Sequence, residues 1–239
     1  MEFSTSKTIT FAALVCLVCG VFVASAAVGL KERQKENEVL DRQKKVLEVA
    51  GLPIGTPEEL KATYAARVNP TEVALVEGGC AEGKKGTTVA APAGNKAKVA
   101  ILPSCATVFL IRDAQDAAKT ETIILPVEGK GLWSTLYGFI AMDPNGVDIK
   151  GLTFYKHGET PGLGGEVDNP KWKAQWIGKK AFKAGDAAPA LFVQKGKSSS
   201  DYAVDGLSGA TLTSNGVTYL LQFWLSPELF GNYLKSFKG

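Results

Sequence analysis

Histidine is almost missing from this sequence: His157 stands alone among 239 residues. A metal centre built on imidazoles is nearly excluded, because such sites draw on several His or Cys ligands. A strong charge of either sign is also missing. The chain has 27 basic and 24 acidic residues, a net charge of +3. No run of Lys or Arg is interleaved with aromatics as a single-strand groove requires. Nucleic acid is therefore set aside as a partner. No internal repeat is present, which argues against solenoids and propellers.

The four cysteines fall into two pairs. Cys16-Leu-Val-Cys19 has the spacing of a redox or zinc pair, yet it lies in an apolar stretch with no further ligand nearby. It reads as two small packing residues. Cys80 and Cys105 are either a disulfide, if the domain is exported, or two unrelated thiols. Spacing does not decide between them.

Charge is wholly missing from Thr8 to Leu30, a run of 23 residues. As a helix it spans about 34 Å, enough to cross a bilayer core. Ala24-Ser25-Ala26 resembles a signal cleavage site, but the run is longer than a signal's apolar core and only Lys7 precedes it beside Glu2. Val15 and Val18, just before Cys16 and Cys19, do not suit a lipoprotein signal. An uncleaved anchor over residues 1–30 is the expectation. Lys31, Arg33 and Lys35 follow it, so a simple positive-inside count leaves the C-terminal bulk in the cytoplasm.

Residues 31–50 read as a charged stalk helix with Val39, Leu40, Val46, Leu47 and Val49 on its apolar side, stopped by Gly51 and Pro53. A short helix is expected from Thr56, with Pro57 in its first position and Glu58 and Glu59 in its first turn. Residues 76–98 are turn-rich and poorly specified. The clearest strand signal runs from Leu132 to Met142. Asp143-Pro-Asn-Gly146 then turns the chain, and Val147–Tyr155 returns, giving a hairpin.

Asn169 and Pro170 start a helix with Trp172, Trp176 and Ile177 on its apolar face. Ala190–Val193 is a further strand candidate. Gly216–Leu225 is helical in length but too short to span a membrane, and Ser226-Pro227-Glu228 opens a last helix. Hairpins and helices do not alternate as βαβ units. The fold class expected is therefore α+β, with an antiparallel sheet and packed helices in one domain over 51–239.

Three stretches can carry chemistry. In His157-Gly-Glu159-Thr160-Pro161-Gly162-Leu163-Gly164 a dinucleotide fingerprint fails, because its third glycine falls on Val167 and no helix follows directly. A glycine-rich loop remains, either a structural turn or a surface that a flat ligand approaches closely. In Gly206-Leu-Ser208-Gly209-Ala210 a nucleophile elbow fails on the final alanine, and His157 precedes the serine in the wrong order for that fold. The stretch Asp205-Gly-Leu-Ser208-Gly209-Ala210-Thr211-Leu212-Thr213-Ser214 suits an anion site. Small residues permit close approach, Thr213 or Ser214 can cap the following helix, and the positive helix end favours a phosphate. A capped helix start without a ligand is the other reading.

The segments Gly131–Trp133, Gly158–Val167, Asn169–Lys180 and Asp205–Val217, with the span and stalk before them, cover nearly the whole chain. Together they resemble the C subunits of Na⁺-translocating NADH:quinone reductases, within the FMN-binding domain family. The resemblance implies covalent FMN, bound as a phosphoester on Thr211. A separate flavin transferase attaches it by reading the pattern of Asp205, Ser208, Gly209, Ala210 and Thr211. The flavin-binding core is expected at about 128–239. The flavin ring is expected against the loop of Glu159, Thr160, Gly162, Leu163 and Gly164, with Ser208, Leu212 and Thr213 near the attachment point. Trp133 either flanks the ring or fills the core, and the core is preferred.

The same resemblance implies a single-pass protein of the bacterial inner membrane with its domain in the periplasm, against the charge count. Cys80 and Cys105 then meet an oxidising compartment. Electrons come from NADH in another subunit and end on quinone, with Na⁺ export coupled to their passage. Other subunits of the complex are the expected partners. Two alternatives remain: the G-type flavin subunit of an Rnf ferredoxin:NAD⁺ reductase, and a tethered protein that binds an anionic ligand without a covalent bond.

Overall fold

A computed structural model describes residues 4–237 and divides the chain into two compact units, with the boundary between Asp41 and Arg42. Helix α1, Thr5–Val49, contains an 18-residue window of mean hydropathy 2.6. It is long and apolar enough to cross a membrane. Its apolar side chains from Ile9 to Leu30 are exposed, as a lipid-facing surface requires. Near its end the pattern changes: Val46, Leu47 and Val49 are buried, while Val39 stays exposed. The helix stops where Gly51 takes a positive φ of 71°.

Helix α2, Pro57–Arg67, starts as the sequence indicates. The Glu59 N–H donates to the Thr56 hydroxyl, and the Glu59 carboxylate accepts from the Thr56 N–H, a complete capping box. The second unit is then built on five antiparallel strands: β1 Val68–Ala74, β4 Cys105–Arg112, β5 Thr120–Lys130, β6 Thr135–Met142 and β7 Ile149–Lys156, side by side in that order. Short strands β2 Thr88–Ala90 and β3 Ile101–Pro103 pair apart from them. The Asp143–Gly146 turn joins β6 to β7, with Gly146 at φ 71°.

Alternation along these strands gives the sheet two different faces. Ile123, Leu125, Val127, Leu136, Ile140, Met142, Leu152 and Phe154 join one large buried cluster. Helix α4, Thr211–Trp224, packs there against β5, contributing Val217, Leu220 and Leu221. The helix can come this close because Gly129 and Gly216 have no side chains. A Cβ on Gly129 would lie 2.6 Å from that of Leu220, and one on Gly216 would collide with the Lys130 carbonyl. The other face carries Phe139, with Phe109 edge-on at 5.8 Å and Tyr155 stacked at 5.0 Å. The Arg42 guanidinium sits 5.2 Å over Tyr155.

Cys80 and Cys105 form a disulfide, closing the turn-rich segment onto the first residue of β4. Helix α3 is short, Pro170–Ala174, and is capped by the Asn169 side chain as expected. Trp172 and Trp176 are buried, but Ile177 is 63% exposed and does not belong to that apolar face. The strand candidate at 190–193 appears as β8, Phe192–Gln194, pairing in parallel with β9, Ala203–Asp205. The final helix is broken: a turn over Pro227–Gly231, with Leu229 outside helical geometry, precedes α5, Asn232–Ser236.

Candidate functional site

Three separate segments meet at one buried carboxylate. The chain leaves β5 at Lys130 and turns through Gly131–Ser134, and it leaves β7 at Lys156 into the loop containing Glu159. Both ends lie beside the start of α4. Glu159 is 5% exposed. Its carboxylate accepts from the N–H groups of Leu132, Trp133 and Ser134 at 3.0–3.1 Å, from the Ser134 hydroxyl at 3.3 Å and from the Thr213 hydroxyl at 2.6 Å. Burial alone would raise the pKa of this acid. The Thr213 hydroxyl and the three backbone N–H groups outweigh burial and hold it below its ordinary value.

Glycines leave room for this junction. A Cβ on Gly131 would lie 2.6 Å from a Glu159 oxygen, and one on Gly164 would lie 2.6 Å from the Thr213 hydroxyl. His157 supports the same loop. Its Nδ1 accepts from the Glu159 N–H at 3.2 Å, so Nε2 carries the proton and donates to Asp168 at 2.7 Å. The single histidine is thus a structural residue. The Ser134 hydroxyl completes the network by accepting from the Gly158 N–H at 2.7 Å.

The turn before α4 lies against the same loop. Gly209 has φ 69°, a conformation that favours glycine, and a Cβ there would lie 2.9 Å from the Leu163 side chain. Helix α4 starts at Thr211, earlier than its hydroxyl-rich first turn suggested. Thr213 and Ser214 are therefore inside the helix and do not cap it. Thr213 donates to Glu159, and the Ser214 hydroxyl accepts from the Leu207 N–H at 3.1 Å. The N-cap position is Ala210, and no side chain caps the first turn. Its leading N–H groups have no intrahelical partners.

Thr211, the first residue of this helix, is exposed, as are Ser208, Gly209 and Leu212. The preferred core reading of Trp133 is corrected: its side chain is 68% exposed. The backbone N–H of Trp133 is tied to Glu159, so the loop is fixed while the indole stays free. Leu132, Leu163 and Leu212 are exposed as well. On the far side of the loop, Thr160 is exposed and its carbonyl accepts from the Leu163 and Gly165 N–H groups. Gly162 turns between them at φ 75°. A cleft of about 290 Å³ opens beside Thr211, lined by Lys195, Gly196, Ser208, Gly209 and Asn215.

These residues fit a flavin nucleotide. An accessible hydroxyl stands at an uncapped helix start, which favours a phosphate, and exposed apolar side chains nearby suit a flat ring. A family model described as the FMN-binding domain matches residues 131–226, the segment that holds every part of this junction. The C subunit of the Na⁺-translocating NADH-quinone reductase from Yersinia pestis is 41% identical over 97% of this chain and 92% of its own. Its Pseudomonas aeruginosa counterpart is 42% identical over 98% and 97%.

The chain belongs to this family of C subunits. The solved Shewanella oneidensis member superposes with a TM-score of 0.70 at 32% identity, over 81% of this chain and 96% of that one. The Parabacteroides distasonis member gives 0.65 at 26%, over 87% and 98%. Membership in the family agrees with the α+β fold and the FMN-binding character read from the sequence.

Proposed function

We propose that this protein is the flavin carrier of a Na⁺-pumping NADH:quinone oxidoreductase, with FMN esterified through its phosphate to Thr211 Oγ. The observation that carries this reading is the position of Thr211. It is exposed, it opens α4, and it ends an unbroken pattern of Asp205, Ser208, Gly209, Ala210 and Thr211. In the attachment step the Thr211 oxygen attacks the flavin phosphorus of an activated donor. A P–O bond to Thr211 forms, a phosphoanhydride bond of the donor breaks, and the hydroxyl proton leaves to solvent. The donor is a flavin dinucleotide bound by the flavin transferase, and its nucleoside monophosphate half leaves. The diester left behind has about one negative charge, which the positive end of α4 favours.

Bound flavin supplies reversible electron transfer. The protein residues supply position. Thr211 prevents loss of the cofactor, Leu163 and Trp133 offer apolar surface for its ring, and Glu159 fixes the two loops that carry them. Electrons originate from NADH in another subunit and end on quinone, with Na⁺ export coupled to their passage.

The apolar part of α1 serves as a single-pass anchor, and the domain faces the periplasm. The Cys80–Cys105 disulfide supports that side, because such bonds persist in oxidising compartments. The charges of Lys31, Arg33 and Lys35 do not forbid it, since long domains are translocated despite flanking charge.

Denaturing electrophoresis under ultraviolet light tests the ester. Protein made together with the transferase should give a fluorescent band that Thr211→Ala abolishes. A protein that takes up no flavin under those conditions would refute the reading.

A further inference from the structure

Asp205, the first residue of the attachment pattern, has its polar groups turned inward. Its carbonyl accepts from the Trp172 indole N–H at 2.8 Å. Its N–H donates to the Gln175 side-chain oxygen at 2.9 Å. Its carboxylate accepts from the Ser198 N–H at 2.7 Å. The next residue is equally confined: the Gly206 N–H donates to the Gly196 carbonyl at 2.9 Å, and a Cβ on Gly206 would lie 2.5 Å from the Gln194 carbonyl.

Trp172 and Gln175 belong to the α3 segment, far outside the pattern in sequence. Trp172 is 6% exposed and packs edge-on against Trp176 at 5.7 Å. The neighbouring Lys173 ties the same segment to Glu48 at 2.5 Å and to the Thr153 hydroxyl at 3.3 Å. The α3 segment is therefore braced on both sides. After Gly206 the turn is anchored by the buried side chains of Leu207 and Ala210 and by few hydrogen bonds. The Leu207 N–H reaches Ser214, the Ala210 N–H reaches the Leu207 carbonyl, and Ser208 and Gly209 are exposed.

We infer that Trp172 and Gln175 are positioning residues for the flavin attachment at Thr211. They clamp the backbone of Asp205, so the six residues that follow present the Thr211 hydroxyl in one conformation. Asp205 serves the attachment through this internal hold rather than by offering its carboxylate to the transferase. This inference rests on the Thr211 ester proposed above. Loosening the clamp leaves the chemistry at Thr211 unchanged and reduces the share of protein in which the turn is correctly presented. An enzyme that engages only that share then shows a higher apparent KM with the same kcat.

The test uses the purified full-length chain, made without transferase, as the substrate of purified transferase with a flavin dinucleotide. Initial rates are measured against chain concentration. Trp172→Phe keeps the buried ring and removes the N–H, and Gln175→Ala removes the acceptor. Each should raise KM, by at most the roughly tenfold that one buried hydrogen bond is worth, with kcat within about twofold. Gln175→Glu keeps an acceptor for the Asp205 N–H and should restore KM.

Thermal unfolding of each variant separates this effect from a general loss of folded protein, which does not raise KM well below the transition. If Trp172→Phe fails to fold, the Gln175 pair decides. Wild-type KM in both clamp variants, or a fall in kcat alone, would overturn the inference while Thr211 still takes flavin. A wild-type chain that takes no flavin would overturn the ester itself, and the inference with it.

Discussion

The Thr213 hydroxyl donates to the Glu159 carboxylate at 2.6 Å across 54 residues of sequence. This one bond joins the first turn of α4 to the glycine-rich loop after β7. Through the same carboxylate it also joins both to the Leu132–Ser134 turn. Replacing Glu159 with alanine removes the shared acceptor of the buried Thr213 hydroxyl and of the part-buried Leu132, Trp133 and Ser134 donors. At about 1–3 kcal/mol for a buried group left unpaired, the loss should be at least about 1 kcal/mol. Urea unfolding of the Glu159→Ala chain checks it, with a lower midpoint as the expected outcome.

Acid should act through the same residue. The folded-state pKa of Glu159 lies below its ordinary value of 4.5. Its contribution is therefore fully present above about that pH and is lost as pH falls through the folded value. Glu128 has the opposite sign: burial raises its pKa, so its protonated form is the better tolerated one in the folded state. Unfolding free energy measured between neutral pH and pH 3 should fall on acidification. The fall should be smaller in Glu159→Gln, which takes up no proton on acidification.

Reduction of the Cys80–Cys105 bond should destabilise the domain. Crosslinking residues 25 apart removes denatured-state entropy amounting to about 3.5 kcal/mol in the loop-closure treatment. Calorimetry with and without a thiol reductant measures the change, and Cys80→Ser with Cys105→Ser should reproduce it. Cys16 and Cys19, outside that bond, should make no difference to the comparison.

Trp133 offers a test in which stability and function separate. Because its indole is exposed while its backbone is fixed, Trp133→Ala should change unfolding free energy by no more than about 0.5 kcal/mol. In flavin-loaded protein the visible circular dichroism of the flavin should weaken, since a flanking aromatic surface has been removed. An unchanged spectrum would remove Trp133 from the ring's surroundings.

The legible parts of this fold were the local ones. The Thr56 cap, the Asn169 cap and the Asp143–Gly146 turn are each decided within a few residues. Strands β1, β4 and β5 were harder to read. β5 carries Pro126 and Glu128, which weaken a strand signal, and Pro126 lies past the end of its ladder with β4. The start of α4 misled for a physical reason. Its N-cap is alanine, while the hydroxyls expected to cap it are spent on Glu159 and Leu207.

The attachment pattern itself could be read as a string of residues. The role of Glu159 could not, because its donors lie 25 to 54 residues away. The same holds for Trp172 and Gln175, which reach Asp205 across 33 and 30 residues. A run of glycines at 158, 162, 164 and 165 was the one available signal that something packs closely there.

Intact-mass and peptide mass spectrometry of the mature protein, produced together with the flavin transferase, tests the central claim most directly. The account predicts an added mass of one FMN less water, located on the peptide containing Thr211 and absent from Thr211→Ala, on a chain that keeps residues 1–26. Flavin retained covalently in Thr211→Ala, or a wild-type chain at its unmodified mass, would contradict it.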